Sequence, residues 1–288
     1  IATLQNALGI ENITCSIFCG SPGRHKKPTI MLVAEGRTIG YCKVTDNPEV
    51  IELFKREEET LNYLNSAGVK YIPTIVYCNQ LNESKNTWLM VQTTERITNE
   101  KAALPTDPKV KSFVQQMMDA TCRKMRYEES EYAHTICSLK KLISLLEIKE
   151  WIKIVQKNIA LVEDNLKGKD VNFSAFHGDL TPWNSFIVND HLYAFDFEYF
   201  KKSFPLYADY FHYFTQSEIY DKYADGKQIV KKYNYLKTEI LADVCDSDFL
   251  YRCYLLAIME FYLNRDRGFL NSRLKEIFET WIYILTHI

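Results

Sequence analysis

An α+β chain of two lobes, a small antiparallel sheet-plus-helix lobe followed by a larger helical one, is the architecture the sequence predicts. Three observations predict it. Strand-like text punctuated by turns fills roughly 12–92, one segment of helical spacing interrupts it at 48–66, and helical patterns dominate after about 94. The boundary is expected at 93/94, giving an N-terminal lobe of 1–93 and a C-terminal lobe of 94–288.

The first strand is expected over 13–19, where Ile13-Thr14-Cys15-Ser16-Ile17-Phe18-Cys19 alternates loosely. Gly20-Ser21-Pro22-Gly23 begins a loop that continues through Arg24-His25-Lys26-Lys27-Pro28. A second strand over 29–34 ends at Glu35-Gly36-Arg37, and a third runs over 38–44, completing a meander. Over 48–66, Val50, Phe54, Leu61 and Leu64 fall on or near one helical face, and Ser66-Ala67-Gly68 ends it. Strands at 74–78 and 87–92 flank a polar loop. Helices are expected at 108–126, 136–147, 150–166, 207–222, 226–243, 247–264 and 270–287, interrupted by a short hairpin at 185–197 that turns at Asn189-Asp190.

Composition narrows the class. The chain has 288 residues, of which 47% are apolar and 25% charged, with a formal net charge of −2. That balance argues against a nucleic-acid or polybasic membrane surface. The 19 Tyr and 16 Phe fit a packed helical core better than a ligand cage. Eight cysteines carry no C-x-x-C pair and no zinc set, so buried, reduced thiols of a cytoplasmic protein are expected. No apolar run reaches the length of about 18 residues that a membrane helix needs. The chain opens on Ile1, as a trimmed chain would.

The chemistry is concentrated in His177-Gly178-Asp179-Leu180-Thr181-Pro182-Trp183-Asn184, followed by Ala194-Phe195-Asp196-Phe197-Glu198, with a hydrophobic strand on each side. Phosphoryl transfer needs a carboxylate to receive the acceptor's proton and oxygen ligands to hold Mg²⁺ against the phosphates. An Asp and an Asn in one loop, then a second Asp delivered by a hairpin, supply all three groups. Upstream, Gly40-Tyr41-Cys42-Lys43-Val44 ends a strand with a Lys among apolar neighbours. In Arg56-Glu57-Glu58-Glu59-Thr60-Leu61-Asn62-Tyr63-Leu64, the leucines aim Glu57 inward and leave Glu58 and Glu59 to solvent.

The Asp-to-Asn interval is that of the protein-kinase signature. With Gly in place of Arg after the His, the string resembles the aminoglycoside phosphotransferase and choline kinase superfamily. The match lies at His177, Gly178, Asp179, Asn184, Asp196, Phe197 and Glu198, and at the Arg56–Leu64 helix. The resemblance implies a bilobal protein-kinase-like fold with the nucleotide between the lobes. It implies that Asp179 is the catalytic base, that His177 braces its loop, and that Asn184 and Asp196 hold Mg²⁺. Lys43 would meet the phosphates of ATP or GTP and pair with Glu57. Asp209 would start a helix and anchor the catalytic loop. Backbone groups near Gln92 and Thr93 would read the base edge.

Two departures stand out. The 20–27 loop is not a G-x-G-x-x-G flap, and Lys26 and Lys27 could either cover phosphates or form a solvated tip. The Asn184-to-Asp196 interval is also one residue shorter than usual. The implied activity is phosphorylation of a small hydroxylated acceptor such as a sugar, amino alcohol or aminoglycoside. A kinase-fold binding module without catalysis and a protein kinase are the rivals. Glu218, Asp221, Asp225 and Glu260, with Tyr207, Tyr210, Tyr213, Tyr220, Tyr254 and Tyr262, suggest a neutral or cationic acceptor.

Overall fold

The structure is a computed structural model that describes residues 2–19, 27–82, 85–96 and 101–288. The loop at 20–26, Lys26 included, lies outside the described residues. In chain order come α1 (Ala2–Leu8), β1 (Thr14–Phe18), β2 (Thr29–Ala34), β3 (Arg37–Thr45), α2 (Pro48–Ser66), β4 (Ile75–Asn82) and β5 (Lys85–Thr93). Then follow α3 (Pro108–Thr121), β6 (Arg123–Arg126), α4 (Glu131–Leu142), α5 (Lys149–Leu166), β7 (Asp170–Phe176), β8 (Ser185–Val188) and β9 (His191–Ala194). The last elements are β10 (Lys201–Pro205), α6 (Ala208–Gln216), α7 (Gly226–Glu239), α8 (Ser247–Arg265) and α9 (Ser272–His287).

The chain divides into two compact units, Ile1–Ala103 with Pro182–Phe200, and Leu104–Thr181 with Lys201–Ile288. The β8–β9 hairpin thus lies in the first unit, whereas the expected 93/94 boundary assigns it to the later lobe.

The first unit is built on an antiparallel sheet of order β1-β2-β3-β5-β4. Side chains alternate between its faces. Leu32, Cys42, Leu89 and Val91 pack with Leu4 of α1 on one side, and Met90 packs with Val50 and Phe54 of α2 on the other. Asn47 caps α2 by accepting the Glu49 amide at 2.9 Å, and Pro48 occupies the first turn, where no amide is missed. Gly40 of β3 lies against β5, and a Cβ there would stand 2.5 Å from the Gln92 carbonyl oxygen. The β8–β9 hairpin forms its own small core of Phe186, Val188 and Tyr193, with Phe186 and Tyr193 stacked at 4.9 Å.

The second unit is mainly helical. Tyr251 of α8 stacks on Phe211 of α6 at 4.9 Å and lies 4.7 Å from Tyr233 of α7, and Phe278 and Trp281 of α9 pack at 5.1 Å. The aromatic surplus is thus core, as expected.

Helical spacing hid part of this unit. The helix expected over 108–126 stops at Thr121, because β6 leaves it to pair with β7 in a second sheet of order β10-β7-β6. Thr121 marks the switch: its hydroxyl donates to the Met117 carbonyl at 2.6 Å and accepts the Ala175 amide of β7 at 3.0 Å. The helix expected from 207 begins with Tyr207 in the left-handed region (φ 59°) and ends as a π-turn over Ser217–Asp221. All eight cysteines are thiols, but only Cys42 and Cys253 are buried; Cys15, Cys19, Cys122, Cys137 and Cys245 are exposed. No described helix is long and apolar enough to cross a membrane.

Candidate active site

Two periodicities bring Lys43 and Glu57 together. On β3, Cys42 faces α1 and its neighbour Lys43 faces the α2 side. On α2, the buried positions Val50, Phe54, Glu57, Leu61 and Leu64 recur every three or four residues, so Glu57 falls within an apolar stripe. Glu59 is exposed, and Glu58 only half so. The Lys43 ammonium donates to both Glu57 oxygens at 2.9 and 2.8 Å and to Asp196 Oδ1 at 2.8 Å. Burial alone would push this ammonium down, but the Asp196 and Glu57 carboxylates outweigh it and hold Lys43 above its ordinary range.

Asp196 follows β9 in the left-handed region at φ 70°. A non-glycine residue there costs about 1–3 kcal/mol, and the surrounding structure must hold it in place. Just before it, the Phe195 amide donates to the Asn184 carbonyl at 3.1 Å and the Ala194 amide to the Tyr71 carbonyl at 3.1 Å. Asn184 itself is buried at the end of a short 3₁₀ turn, Pro182–Asn184. Lys27 is no solvated tip: its ammonium donates to Glu198 at 2.5 Å and lies 3.6 Å from Asp196. Among the described residues, Lys27 and Lys43 thus face the carboxyl groups of Glu57, Asp196 and Glu198.

Asp196 and Asn184 carry the hard oxygen donors that Mg²⁺ prefers. The described residues contain no cluster of three or more His, Cys, Asp or Glu side chains that could cage a metal alone. Sparse protein ligation of this kind is normal for Mg²⁺ that is shared with phosphates.

Beside Lys43 and Asp196 opens a cavity of about 300 Å³, lined by Tyr41, Gln92, Phe186 and Tyr193 among others. Small-molecule sites begin at about this size. Arg96 lies over the Phe186 ring at 5.5 Å. Gln92 is 4% exposed, and its Oε1 is a buried acceptor with no partner among the described residues. Thr93, in contrast, donates its amide to the Thr74 carbonyl at 2.9 Å and accepts Tyr193 Oη on its own carbonyl at 3.4 Å. The unspent polar atom here is therefore in the Gln92 side chain.

In the second unit, Gly178 takes φ 87°, a left-handed conformation that explains the glycine between His177 and Asp179. The carboxylate of Asp209, in the first turn of α6, accepts the amides of His177 at 2.8 Å and Gly178 at 3.4 Å. Burial raises its pKa to about 7, although the two amides oppose the shift. The Asp179 amide donates to Nδ1 of the buried His177 at 3.2 Å. His212, one turn into α6, brings Nε2 to 3.3 Å from Asp179 Oδ1.

Most of the groups suggested for acceptor recognition serve the fold. Glu218 pairs with Lys232, Glu260 accepts from Ser138 at 2.6 Å, and Asp225 caps α7. Tyr207 donates to Gln115 and Tyr210 to the Pro105 carbonyl. Tyr220 and Tyr262 meet hydroxyl to hydroxyl at 3.2 Å.

No family model matches the chain, and no curated protein matches it. Solved structures do. Aminoglycoside phosphotransferase APH(4)-Ia superposes with a TM-score of 0.63 at 12% identity, covering 99% of this chain and 97% of its own, and is also known in ternary complex with ADP and hygromycin B. Amicoumacin kinase hAmiN, solved in complex with AMP-PNP, Ca²⁺ and Ami, gives 0.56 at 12% identity over 99% and 92%. ADP-bound aminoglycoside phosphotransferase APH(2'')-Ib gives 0.54 at 16% identity over 99% and 97%. The protein therefore has a kinase-like fold; within that class, the fold is that of the aminoglycoside phosphotransferases, as the motifs imply.

Sequence reasoning missed His212 and left Lys27 undecided. Neither belongs to the matched strings. The only local sign of His212 is a lone polar residue in the aromatic run Tyr210-Phe211-His212-Tyr213-Phe214.

Proposed function

We propose that the chain is a Mg²⁺-dependent kinase that transfers the γ-phosphoryl group of ATP or GTP to a hydroxyl of a small molecule. The observation that carries this reading is the buried Lys43–Glu57 pair extended to Asp196 Oδ1 beside the cavity. A buried ammonium held by two carboxylates is costly to build, and a phosphate-binding role accounts for it. Lys43 would exchange part of its carboxylate contact for phosphate oxygens. Gln92 would present its unpaired acceptor to the base. Asn184 and Asp196 would hold Mg²⁺, which when bound neutralises phosphate charge. Asp179 would accept the proton of the acceptor hydroxyl as that oxygen attacks the γ-phosphorus and the bond to the departing diphosphate breaks. His177 and Asp209 would keep the Asp179 loop in place.

The fold supports this reading, since the superposed proteins include an aminoglycoside phosphotransferase in complex with ADP and hygromycin B and an amicoumacin kinase. The test is nucleotide consumption with ATP and GTP, with and without Mg²⁺, across choline, ethanolamine, sugars, homoserine and aminoglycosides. Metal-dependent turnover on one acceptor class, lost in Asp179→Asn, is the expected result. No turnover on any acceptor, together with no binding of ATP–Mg, would overturn it.

A further inference from the structure

We infer that His212 is a positioning residue for Asp179, an inference that rests on Asp179 being the base. Asp179 sits in a loop whose backbone is anchored by Asp209 and His177 through main-chain amides. The Asp179 side chain is 34% exposed. His212 reaches the carboxylate itself, with Nε2 at 3.3 Å from Oδ1.

The proton on this contact follows from the surroundings. An ionised carboxylate only accepts, so Nε2 must donate. Nδ1 is buried and has no partner among the described residues. The contact therefore uses a proton on Nε2, whatever Nδ1 carries. The ring cannot swing away easily. Phe176 meets it edge-on at 6.3 Å and 78°, Tyr254 at 5.7 Å and 88°, and the side chain is 3% exposed. A rigid donor on Oδ1 sets the plane of the carboxylate, and with it the direction from which an acceptor hydroxyl is met. In the transfer step His212 neither gains nor loses a proton; it holds the group that does.

The test has two arms. With nitrogen-15-labelled histidine, His212 Nε2 should carry a proton, and its resonance should move in Asp179→Asn. An Nε2 without a proton, or a resonance indifferent to that substitution, overturns the inference. This arm needs no turnover, so it decides the His212 contact even if the chain proves not to be a kinase. In the kinetic arm, His212→Phe keeps ring size and removes the donor. It should lower kcat roughly 10²-fold, the order of loss from a misplaced catalytic group. KM for both substrates should stay within about twofold. His212→Gln restores a donor of similar reach and should recover most of kcat. An unchanged kcat in His212→Phe, or a His212→Gln no better than His212→Phe, defeats the inference. Should His212→Phe fail to fold, His212→Asn, whose shorter amide falls short of Oδ1, takes its place with the same expectations.

Discussion

Asp179 and Asp209 are carboxylates in one small network, and their surroundings give them opposite tasks. Asp179 is partly exposed and has His212 on one oxygen; Asp209 is 3% exposed and holds two backbone amides. Replacing Asp179 by Asn removes the base and little packing. Melting and nucleotide affinity should hold while kcat falls about 10²–10⁴-fold, measured in the turnover assay. For Asp209 the prediction concerns pH. Its folded pKa is raised to about 7 from 3.8, so between those values the folded state binds a proton that the unfolded state has lost. Stability must then fall as pH rises through that window, by up to about 1.4 kcal/mol per pH unit from this group. Urea melts of the parent and Asp209→Asn at pH 5 and pH 7 should show the parent losing ground to the variant at the higher pH. A difference independent of pH would contradict it. At this scale, legibility followed chain-local spacing. Lys43, Glu57 and Asp196 could be chosen because each sits in a short string whose period fixes its direction. His212 and Lys27 could not, because their partners Asp179 and Glu198 lie 33 and 171 residues away and no local pattern announces them.

Among the elements, β3, β5 and α2 fix the ammonium–carboxylate cluster, and each was visible from its periodicity. The second sheet was not. β6 is Arg123-Lys124-Met125-Arg126, four residues with no apolar alternation, and β10 opens with Lys201-Lys202; both are short edges whose only reason to be strands is β7 between them. Two predictions belong to this scale. In Gly40→Ala the new Cβ would meet a backbone oxygen at 2.5 Å, which can give way only if the β3–β5 pairing shifts. A loss of about 1–3 kcal/mol in denaturant unfolding is expected, with weaker nucleotide binding. Lys43→Ala strands Glu57 as a buried, unpaired charge and should cost about 3–5 kcal/mol. Lys43→Met combined with Glu57→Leu removes both charges and should recover most of that loss while leaving nucleotide binding poor. If the double variant were as unstable as Lys43→Ala, the cluster's cost would lie in packing rather than charge.

For the whole molecule, the Lys27, Lys43, Glu57, Asp196 and Glu198 cluster makes stability depend on what is bound. A nucleotide brings phosphates toward two lysines that are already paired with carboxylates, and so brings negative charge beside those carboxylates. Without a divalent cation those negative charges repel, so the nucleotide alone should bind weakly. With Mg²⁺ on Asn184 and Asp196, Lys43 can turn toward phosphate without leaving Asp196 bare. ATP–Mg at a hundredfold excess over its Kd should then raise unfolding stability by about 2.7 kcal/mol, whereas ATP with EDTA at the same concentration should give much less. Each variant is judged by its own ligand-induced shift, so that intrinsic destabilisation drops out. Asp196→Ala should lose most of the metal-dependent part, because it removes the carboxylate that faces the cation. Lys43→Met should lose the nucleotide part but keep some response to metal. Calorimetric melts with ATP, ATP–EDTA and ATP–Mg separate these contributions. Equal shifts with and without Mg²⁺ would mean that Lys27 and Lys43 already balance the site, and that Asp196 is a partner of lysine rather than of metal.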